Sequence, residues 1–318
     1  MSIIRSNSNS SGSALAKWWA ERGLKTSIDV IDRFKFYKFN LIEYGNWINQ
    51  DLRNDVSLTI LKGCAEVLLP LLKTKNLGID NSINIAIGSR GKKGSLAYFQ
   101  PSTLFLSFNK YRNEDKGELN KAFSFTHEYF HALDYIIGRY IEPNKFQNML
   151  SDTWNISTNT PIRQAVRVLM SHFYDLQESE NKNWLKGIRK VDYWGSPAEC
   201  FARLSEQCVS YYAYQKKIKQ GITKPVTFYI KHPNVYMPKQ VMVSVYPYWL
   251  KVVELFSLVL QGKSDTEIQK VANKTIKKTE TKTVQGSLFS KNNSKKKTEK
   301  TKKKSPNSKK KTTKTKKK

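Results

Sequence analysis

The stretch Leu119–Ile137 reads LNKAFSFTHEYFHALDYII, and it decides how the rest of the chain is interpreted. Its apolar and chemically active side chains recur at spacings of three and four residues, which is the period of a helix with one buried face. These side chains are Phe123, His127, Phe130, His131, Asp134 and Ile137. We therefore predict one helix over this stretch, and we expect Gly138 to end it.

Within this helix, residues 127–131 form an HExxH string. Histidines four residues apart project from one helix face, so that both rings can bind one zinc ion. Zinc lowers the pKa of a bound water, and the glutamate beside the first histidine can take the proton before the water attacks a peptide carbonyl. The string predicts a zinc-dependent hydrolase with His127 and His131 as ligands and Glu128 as general base.

A catalytic zinc has three protein ligands and one open position, so a third ligand is needed. One common solution places a glycine at position 134 and a histidine at position 137, but this chain has Asp134 and Ile137 there. The other common solution is a glutamate from a later helix. Glu199, just inside a helix predicted from Pro197, is the candidate, although an acid in a first turn also suits the helix dipole. Glu206 would lie near the same face, as a rival ligand or as a partner of a ligand.

Asp134 lies three residues after His131 on the same predicted helix face. A carboxylate there can orient a ligand histidine through its free ring N–H, or it can pair with Arg203 on the Glu199 helix. We expect Asp134 to support the site rather than to bind the metal directly. The reaction also needs a donor for the developing oxyanion, and the candidates are His232, Tyr229 and Tyr236.

The remaining sequence favours an α+β fold that is mainly helical with a small β-sheet. Period-two alternation predicts short strands at 83–88 and on either side of Pro101 within 95–108; a hairpin is one arrangement of these strands, and Pro101 marks either a turn or a sheet edge. Helical periodicity covers 161–176, 198–212 and 249–260. Weaker strand-like patterns occur at 226–230 and 241–247. A flexible segment at 1–25, one domain at 26–262 and a tail at 263–318 complete the predicted organisation.

The charge is concentrated at the end of the chain. Nineteen lysines and two glutamates after residue 273 supply +17 of the net +29. A run of lysine with Ser, Thr and Asn cannot bury enough apolar surface to fold, so we predict a disordered tail. Each lysine that neutralises a phosphate releases counterions, which predicts non-specific, salt-sensitive binding of nucleic acid.

One short island interrupts this lysine-rich tail at residues 285–289, QGSLF. Its Q-x-x-L-F pattern, formed by Gln285, Leu288 and Phe289, resembles peptides that dock into bacterial sliding clamps. Isolated apolar anchors in a disordered chain are typical of linear motifs. A DNA sliding clamp is therefore a candidate partner.

Membrane and disulfide-rich classes of protein are disfavoured by the sequence. No stretch has about 18 uninterrupted apolar residues, as a membrane span requires. The polar start MSIIRSNSNSSGSA stands where a signal peptide would have its apolar region. Three cysteines form no CxxC pair, which fits a reducing compartment. We expect a cytoplasmic protein with no membrane partner.

Four groups of residues occur in an order typical of one family. They are Glu43-Tyr44-Gly45-Asn46-Trp47 with Arg53; Ser89-Arg90-Gly91 with Ala97-Tyr98-Phe99; His127-Glu128 with His131-Ala132-Leu133-Asp134; and Tyr193-Trp194 with Pro197, Glu199 and Phe201-Ala202-Arg203. Over about residues 40–255 the chain resembles the large-polyvalent-protein-associated zincin-like metallopeptidase domain, an HExxH family of the gluzincin type encoded by phages and conjugative elements. Phe130 departs from the family, which often has a small residue there.

The resemblance implies a zincin-like fold, metallopeptidase activity on a protein or peptide, and action in a bacterial host cytoplasm, near the nucleoid if the tail binds DNA. It implies His127, His131 and Glu199 as zinc ligands and Glu128 as base. The alternative is a non-catalytic, DNA-associated accessory protein that uses a zincin-like scaffold and is recruited to the sliding clamp.

Overall fold

The computed structural model describes residues 30–46, 48–90, 97–108, 120–141, 149–152 and 160–273. The predicted flexible segment at 1–25 lies outside these residues. So do residues 274–318, which hold most of the predicted tail and the clamp-motif candidates Gln285, Leu288 and Phe289. The predictions for these two segments therefore stay predictions.

A small mixed sheet forms one layer of the described fold. Its strands are β1 (Ile42–Tyr44), β2 (Asn84–Ile87), β3 (Ala97–Gln100) and β4 (Phe105–Phe108), in the order β1-β2-β4-β3. The first two pairings are parallel and the β3–β4 pairing is antiparallel. The hairpin arrangement is therefore confirmed, with its turn at 101–104. β3 is an edge strand among the described strands, and it packs against the helix that follows the sheet.

Helices α1 (Val30–Phe36), α2 (Gln50–Gly63) and α3 (Leu69–Leu72) come from the first part of the chain, and a π-helical turn, Cys64–Leu68, joins α2 to α3. α2 begins where the Asn49 side chain accepts a hydrogen bond from the Leu52 N–H, as a favourable N-cap does. Buried residues of α2 and of the π turn, including Ile60 and Val67, join the hydrophobic core.

The HExxH string lies on α4 (Phe125–Ile141), which follows a 3-10 turn at Asn120–Ser124. The expectation that Gly138 ends this helix is wrong, because α4 continues for three residues beyond it. Ile141 packs against the core one turn after the buried Ile137, so the apolar face of the helix extends past the glycine. Burial of that face stabilises the last turn despite the weak helix propensity of glycine.

Six helices follow in the second half of the described chain, the last of them at residues 265–273. The first five are α5 (Pro161–Glu180), α6 (Val191–Trp194), α7 (Pro197–Gln215), α8 (Val226–Ile230) and α9 (Lys239–Leu260). α7 packs along α4, and α9 packs along α5 while also touching α7. This layering places the HExxH helix between the edge strand β3 and helix α7.

The strand-like interpretation of 226–230 and 241–247 is wrong, since both segments are helical. In α9, Val241 and Val245 are buried while Val243 is 45% exposed. The apolar residues that alternated in sequence therefore lie on a helix whose buried face repeats every four residues. α9 is long and apolar enough to cross a membrane by length and composition, but half of its apolar window is buried inside the protein, as in a core helix.

Helical structure continues past residue 262, where the tail was predicted to begin. Residues 265–273 are helical, and Ile268 and Ala272 belong to the hydrophobic core. The described helices thus include about ten residues that composition alone assigned to the tail.

Candidate metal centre

Three side chains predicted to bind a metal meet at one point. The His127 Nε2 and His131 Nε2 atoms are 3.2 Å apart. The two oxygens of Glu199 approach them, with Oε2 lying 3.5 Å from His127 Nε2 and Oε1 lying 3.5 Å from His131 Nε2. Together these three side chains form a group that could hold a metal ion.

Two packed helices bring the group together. α4 carries both histidines one turn apart, and α7 carries Glu199 in its first turn. Phe130 of α4 contacts Phe201 of α7, with ring centroids 6.3 Å apart, so an aromatic contact fixes one helix against the other. The Phe130 ring also lies 5.9 Å from Trp249 of α9. The Phe130 side chain therefore fills the junction of α4, α7 and α9.

Glu199 is ionised in this environment. Burial raises the pKa of its carboxyl, but hydrogen bonds from His127 and His131 outweigh burial and hold that pKa well below its usual range. The Arg203 Nη1 atom lies 3.9 Å from Glu199 Oε2 and adds a positive charge one turn along α7. Position 199 therefore presents a negatively charged ligand rather than a neutral acid.

Glu206 contacts the opposite side of the His127 ring. Its Oε2 atom is 3.3 Å from His127 Nδ1, while its Oε1 accepts a 2.7 Å hydrogen bond from the Tyr229 hydroxyl. Burial lowers the pKa of His127, but the contacts with Glu199 and Glu206 raise it to about 10. Of the two roles considered for Glu206, its geometry matches that of a partner that orients a ligand histidine.

The Glu128 side chain lies between α4 and the sheet and is only 6% exposed. Burial raises the pKa of its carboxyl, and the charges of His127 and His131 oppose that rise. Its carboxylate also accepts a hydrogen bond from the backbone N–H of Phe99 on β3. Glu128 therefore connects the histidine pair to the edge strand of the sheet.

Asp134 is buried on α4 but has partners outside the histidine–glutamate group. Its Oδ1 accepts a 2.8 Å hydrogen bond from the Ser151 N–H, and its Oδ2 accepts a 2.5 Å hydrogen bond from the Ser151 hydroxyl. Arg203, proposed from sequence as an ion-pair partner, instead hydrogen bonds to the Trp194 carbonyl and stacks on the Trp194 ring, with Cζ 4.6 Å from its centroid.

Tyr193 is a site residue that sequence reasoning missed. Its hydroxyl hydrogen bonds to Glu199 and, together with burial, this contact raises the pKa of Tyr193 above its usual value. The side chain is 54% exposed and lies on α6, which Arg203 holds against α7 through Trp194. The signal available in sequence was its position, six residues before Glu199 in the last of the four family-like groups.

The three donors predicted from sequence have different surroundings. Tyr229 is fully buried, and its hydroxyl donates to Glu206 and accepts a hydrogen bond from the Lys224 N–H. His232 has its Nδ1 atom 2.7 Å from the Phe228 carbonyl oxygen. The Tyr236 ring packs against the Tyr229 ring at 4.7 Å between centroids, and burial together with the charges of Glu206 and Glu199 raises the pKa of its hydroxyl, so Tyr236 also lies near the site. Among the tyrosines of the described chain that touch the metal-binding group, Tyr193 combines contact with Glu199 and exposure to solvent.

Comparisons of the chain with protein-family models, with curated proteins and with solved structures find no match.

Proposed function

We propose that this protein is a zinc-dependent metallopeptidase of the zincin-like HExxH type. The observation that supports this proposal most directly is the set of distances between the donor atoms of the three side chains. Ligands held about 2.0–2.1 Å from a tetrahedral zinc lie about 3.3 Å from one another. The two Nε2 atoms of His127 and His131 are 3.2 Å apart, and each lies 3.5 Å from a different oxygen of Glu199, so that one donor atom from each side chain lies within 4.8 Å of the other two. Two imidazoles and one carboxylate also form a donor set typical of catalytic zinc.

The charge of the buried groups supports a divalent cation. Glu128, Glu199 and Glu206 are each at most 7% exposed, and besides the histidines, Arg203 of the described chain lies within ion-pair distance of Glu199. With neutral histidines, these four side chains would carry a net charge of −2 in a poorly solvated space. Burial of uncompensated charge is costly, and a doubly charged metal ion removes that cost.

Glu128 provides the general base in this proposal. Bound zinc supplies Lewis acidity that polarises a peptide carbonyl and lowers the pKa of water. The Glu128 carboxylate takes a proton on one oxygen and returns it to the leaving amine nitrogen, while the Phe99 N–H fixes its position. A buried carboxylate whose pKa is raised is well suited to hold that proton between the two steps.

Strand β3 supports a protein or peptide as the substrate. It is the edge of the described sheet beside α4, and its Phe99 lies against Glu128. An extended peptide can add to a sheet edge through main-chain hydrogen bonds, which are independent of side-chain sequence. In this binding mode a carbonyl of the peptide passes in front of the metal ligands.

Tyr193 completes the proposal as a hydrogen-bond donor. Its hydroxyl reaches Glu199 and lies in the electrostatic field of Glu128, so it faces the same space as the base. A donor aimed at the carbonyl oxygen stabilises the charge that grows there during attack. We assign this role to Tyr193 rather than to Tyr229, whose hydroxyl is buried and occupied.

Metal analysis and substrate cleavage test the proposal together. We expect the full chain to bind one zinc ion, His131→Ala to lose it, and Glu128→Gln to keep it. Glu128→Gln retains an oxygen for the Phe99 N–H but cannot take a proton, so hydrolysis should fall by about 10²–10⁴-fold. His172→Ala is the control, because the His172 ring lies outside the group and packs on the Tyr248 ring, with 4.4 Å between the ring centroids.

New protein N-termini in cells that produce wild type, but not in cells that produce Glu128→Gln, would identify the substrate. A wild-type chain without zinc, or a His131→Ala variant with full zinc content, would remove the metal site. Zinc binding with identical N-termini in both cell types would instead favour the non-catalytic accessory protein.

A further inference from the structure

A short turn at residues 220–224 braces both helices of the metal centre. The turn is built around the Gln220 side chain, whose Oε1 accepts hydrogen bonds from the Ile222 N–H at 2.6 Å and from the Thr223 N–H at 2.9 Å. The Ser210 hydroxyl of α7 donates to the Lys224 carbonyl at 2.8 Å. The turn therefore has a defined conformation and a fixed position on α7.

The same turn holds the start of α4. The Ile222 carbonyl accepts hydrogen bonds from the Thr126 N–H at 3.3 Å and from the Thr126 hydroxyl at 3.1 Å. Thr126 is fully buried and directly precedes His127. The helix that carries the two histidines is thus fixed to the turn at its first residues.

From this turn a chain of hydrogen bonds runs to the metal ligands. The Lys224 N–H donates to the Tyr229 hydroxyl at 2.9 Å. The Tyr229 hydroxyl donates to Glu206 Oε1 at 2.7 Å, and Glu206 Oε2 lies 3.3 Å from His127 Nδ1. Tyr229 is fully buried and Glu206 is 6% exposed, so water does not compete for these contacts.

We propose that Tyr229 is a positioning residue of the metal centre: held by the turn at 220–224, its hydroxyl keeps the Glu206 carboxylate on Nδ1 of His127, so that His127 presents Nε2 to the metal. The inference rests on the proposed metal site and adds a residue that acts on it without touching the metal. The role of Tyr229 follows from the difference between the two ring nitrogens of histidine. A carboxylate on Nδ1 fixes the proton there and leaves the lone pair of Nε2 for a metal.

The Tyr229 hydroxyl restricts how Glu206 can perform this task. With one oxygen held by Tyr229, the carboxylate cannot rotate about its Cγ–Cδ bond without breaking that hydrogen bond, so its other oxygen stays on the imidazole. Without the hydroxyl, the buried carboxylate would lack a donor on Oε1 and would rotate to find one. His127 would then lose its fixed orientation while the fold keeps the tyrosine ring.

Zinc affinity of the full chain, measured by competition with a chromophoric chelator, tests this role. Loss of a partner that orients a metal ligand costs about 10–100-fold in metal affinity. We expect about a 10-fold weaker zinc affinity for Tyr229→Phe, and a changed visible spectrum of the cobalt-substituted protein. Tyr129→Phe is the matched control, because Tyr129 is equally buried and donates to the Leu77 carbonyl at 2.8 Å, away from the site.

A double-mutant cycle separates positioning from general loss of stability. If Tyr229 acts through Glu206, then adding Tyr229→Phe to Glu206→Gln should weaken zinc binding no further. Equal zinc affinity for wild type and Tyr229→Phe would overturn the proposal. The proposal would also be overturned if the double variant lost as much zinc-binding free energy as the two single variants together, because Tyr229 would then not act through Glu206.

A measurement on metal-free protein keeps this proposal distinct from the zinc site itself. In nitrogen-15 spectra of the His127 ring, Tyr229→Phe should shift the Nδ1 resonance, whereas Tyr129→Phe should not. If the wild-type chain binds no zinc and Tyr229→Phe still shifts the Nδ1 resonance, the proposed metal function is wrong and the Tyr229–Glu206–His127 link stands. An unchanged Nδ1 resonance in Tyr229→Phe would remove the link.

Discussion

The carboxyl group of Asp134 is buried without a cation at hydrogen-bonding distance in the described chain. Burial raises its pKa from 3.8 to about 6, although the hydrogen bonds from Ser151 oppose the rise. Between about pH 4 and pH 6 the folded protein therefore binds a proton that the unfolded chain has released. By linkage, this group stabilises the fold below pH 4, and that stabilisation is lost as the pH rises through 6.

Asp134→Asn should remove this dependence, because the amide keeps an oxygen for the Ser151 N–H and carries no charge. Relative to wild type, the variant should gain stability from pH 4 to pH 7, by up to about 3 kcal/mol. Urea unfolding of chelator-treated protein at several pH values measures the difference. Asp175→Asn, at an exposed position of α5, is the control. A difference that stays constant with pH would exclude the buried carboxylate as its source.

At the scale of single residues, sequence identified the part of the site that local geometry dictates. His127, Glu128 and His131 share one helix, so their spacing alone predicts that they converge. Glu199 followed from its place near a helix start, and its distance from both histidines agrees with that prediction. Tyr193 and Tyr229 were missed as partners of the glutamates, because their positions depend on how the chain between helices folds back.

Helix α2 packs closely against the turn at 220–224. A Cβ atom added at Gly63, the last residue of α2, would lie 2.3 Å from the Cγ2 atom of Ile222. Ile222 is fully buried, and its carbonyl holds Thr126 at the start of α4. Glycine at position 63 therefore allows the turn to reach α4.

Gly63→Ala should destabilise the protein by about 1–3 kcal/mol through overpacking. The direction of the change in unfolding free energy identifies overpacking, because a glycine-to-alanine substitution at an exposed helix position stabilises a protein by about 1 kcal/mol. Thermal and urea unfolding measure the change. The double variant Gly63→Ala, Ile222→Ala should be more stable than the sum of the single changes predicts. Strict additivity would show that the two positions do not touch.

At the scale of elements, prediction succeeded where burial and sequence period coincide. The β3–β4 hairpin joins neighbouring segments, so alternation was sufficient to find it. β1 was missed because it has three residues and pairs with a strand about forty positions later. Apolar residues two apart in 241–247 imitated a strand, whereas packing against α5 and α7 buries only those on one helix face.

The whole molecule divides its charge unevenly, and this suggests an experiment on the complete chain. Residues 274–318 carry +17 of the net +29 and lie beyond the described helix that ends at 273. A chain truncated after residue 273 should keep its metal content and melting temperature, since the residues of the described core all lie before position 274. It should lose most of its salt-sensitive affinity for DNA.

Binding to a short DNA duplex at two salt concentrations measures this difference. Replacing Leu288 and Phe289 by Ala in the full chain is the companion variant, which should leave DNA affinity unchanged and weaken only binding to a sliding clamp. If the full and truncated chains bind DNA with equal affinity, nucleic-acid binding belongs to the described domain. If neither chain binds DNA, the prediction of nucleic-acid binding is wrong.

The metal-binding group joins two helices that are far apart in the chain. His131 and Glu199 are separated by about seventy residues, so a bound ion acts as a removable cross-link between the two halves of the domain. A ligand that binds only the folded state adds about 4 kcal/mol of stability when its concentration is 1,000 times its dissociation constant. Metal supply would then set how often the domain opens, and the lifetime of this protein against cellular proteases would follow the zinc available to it.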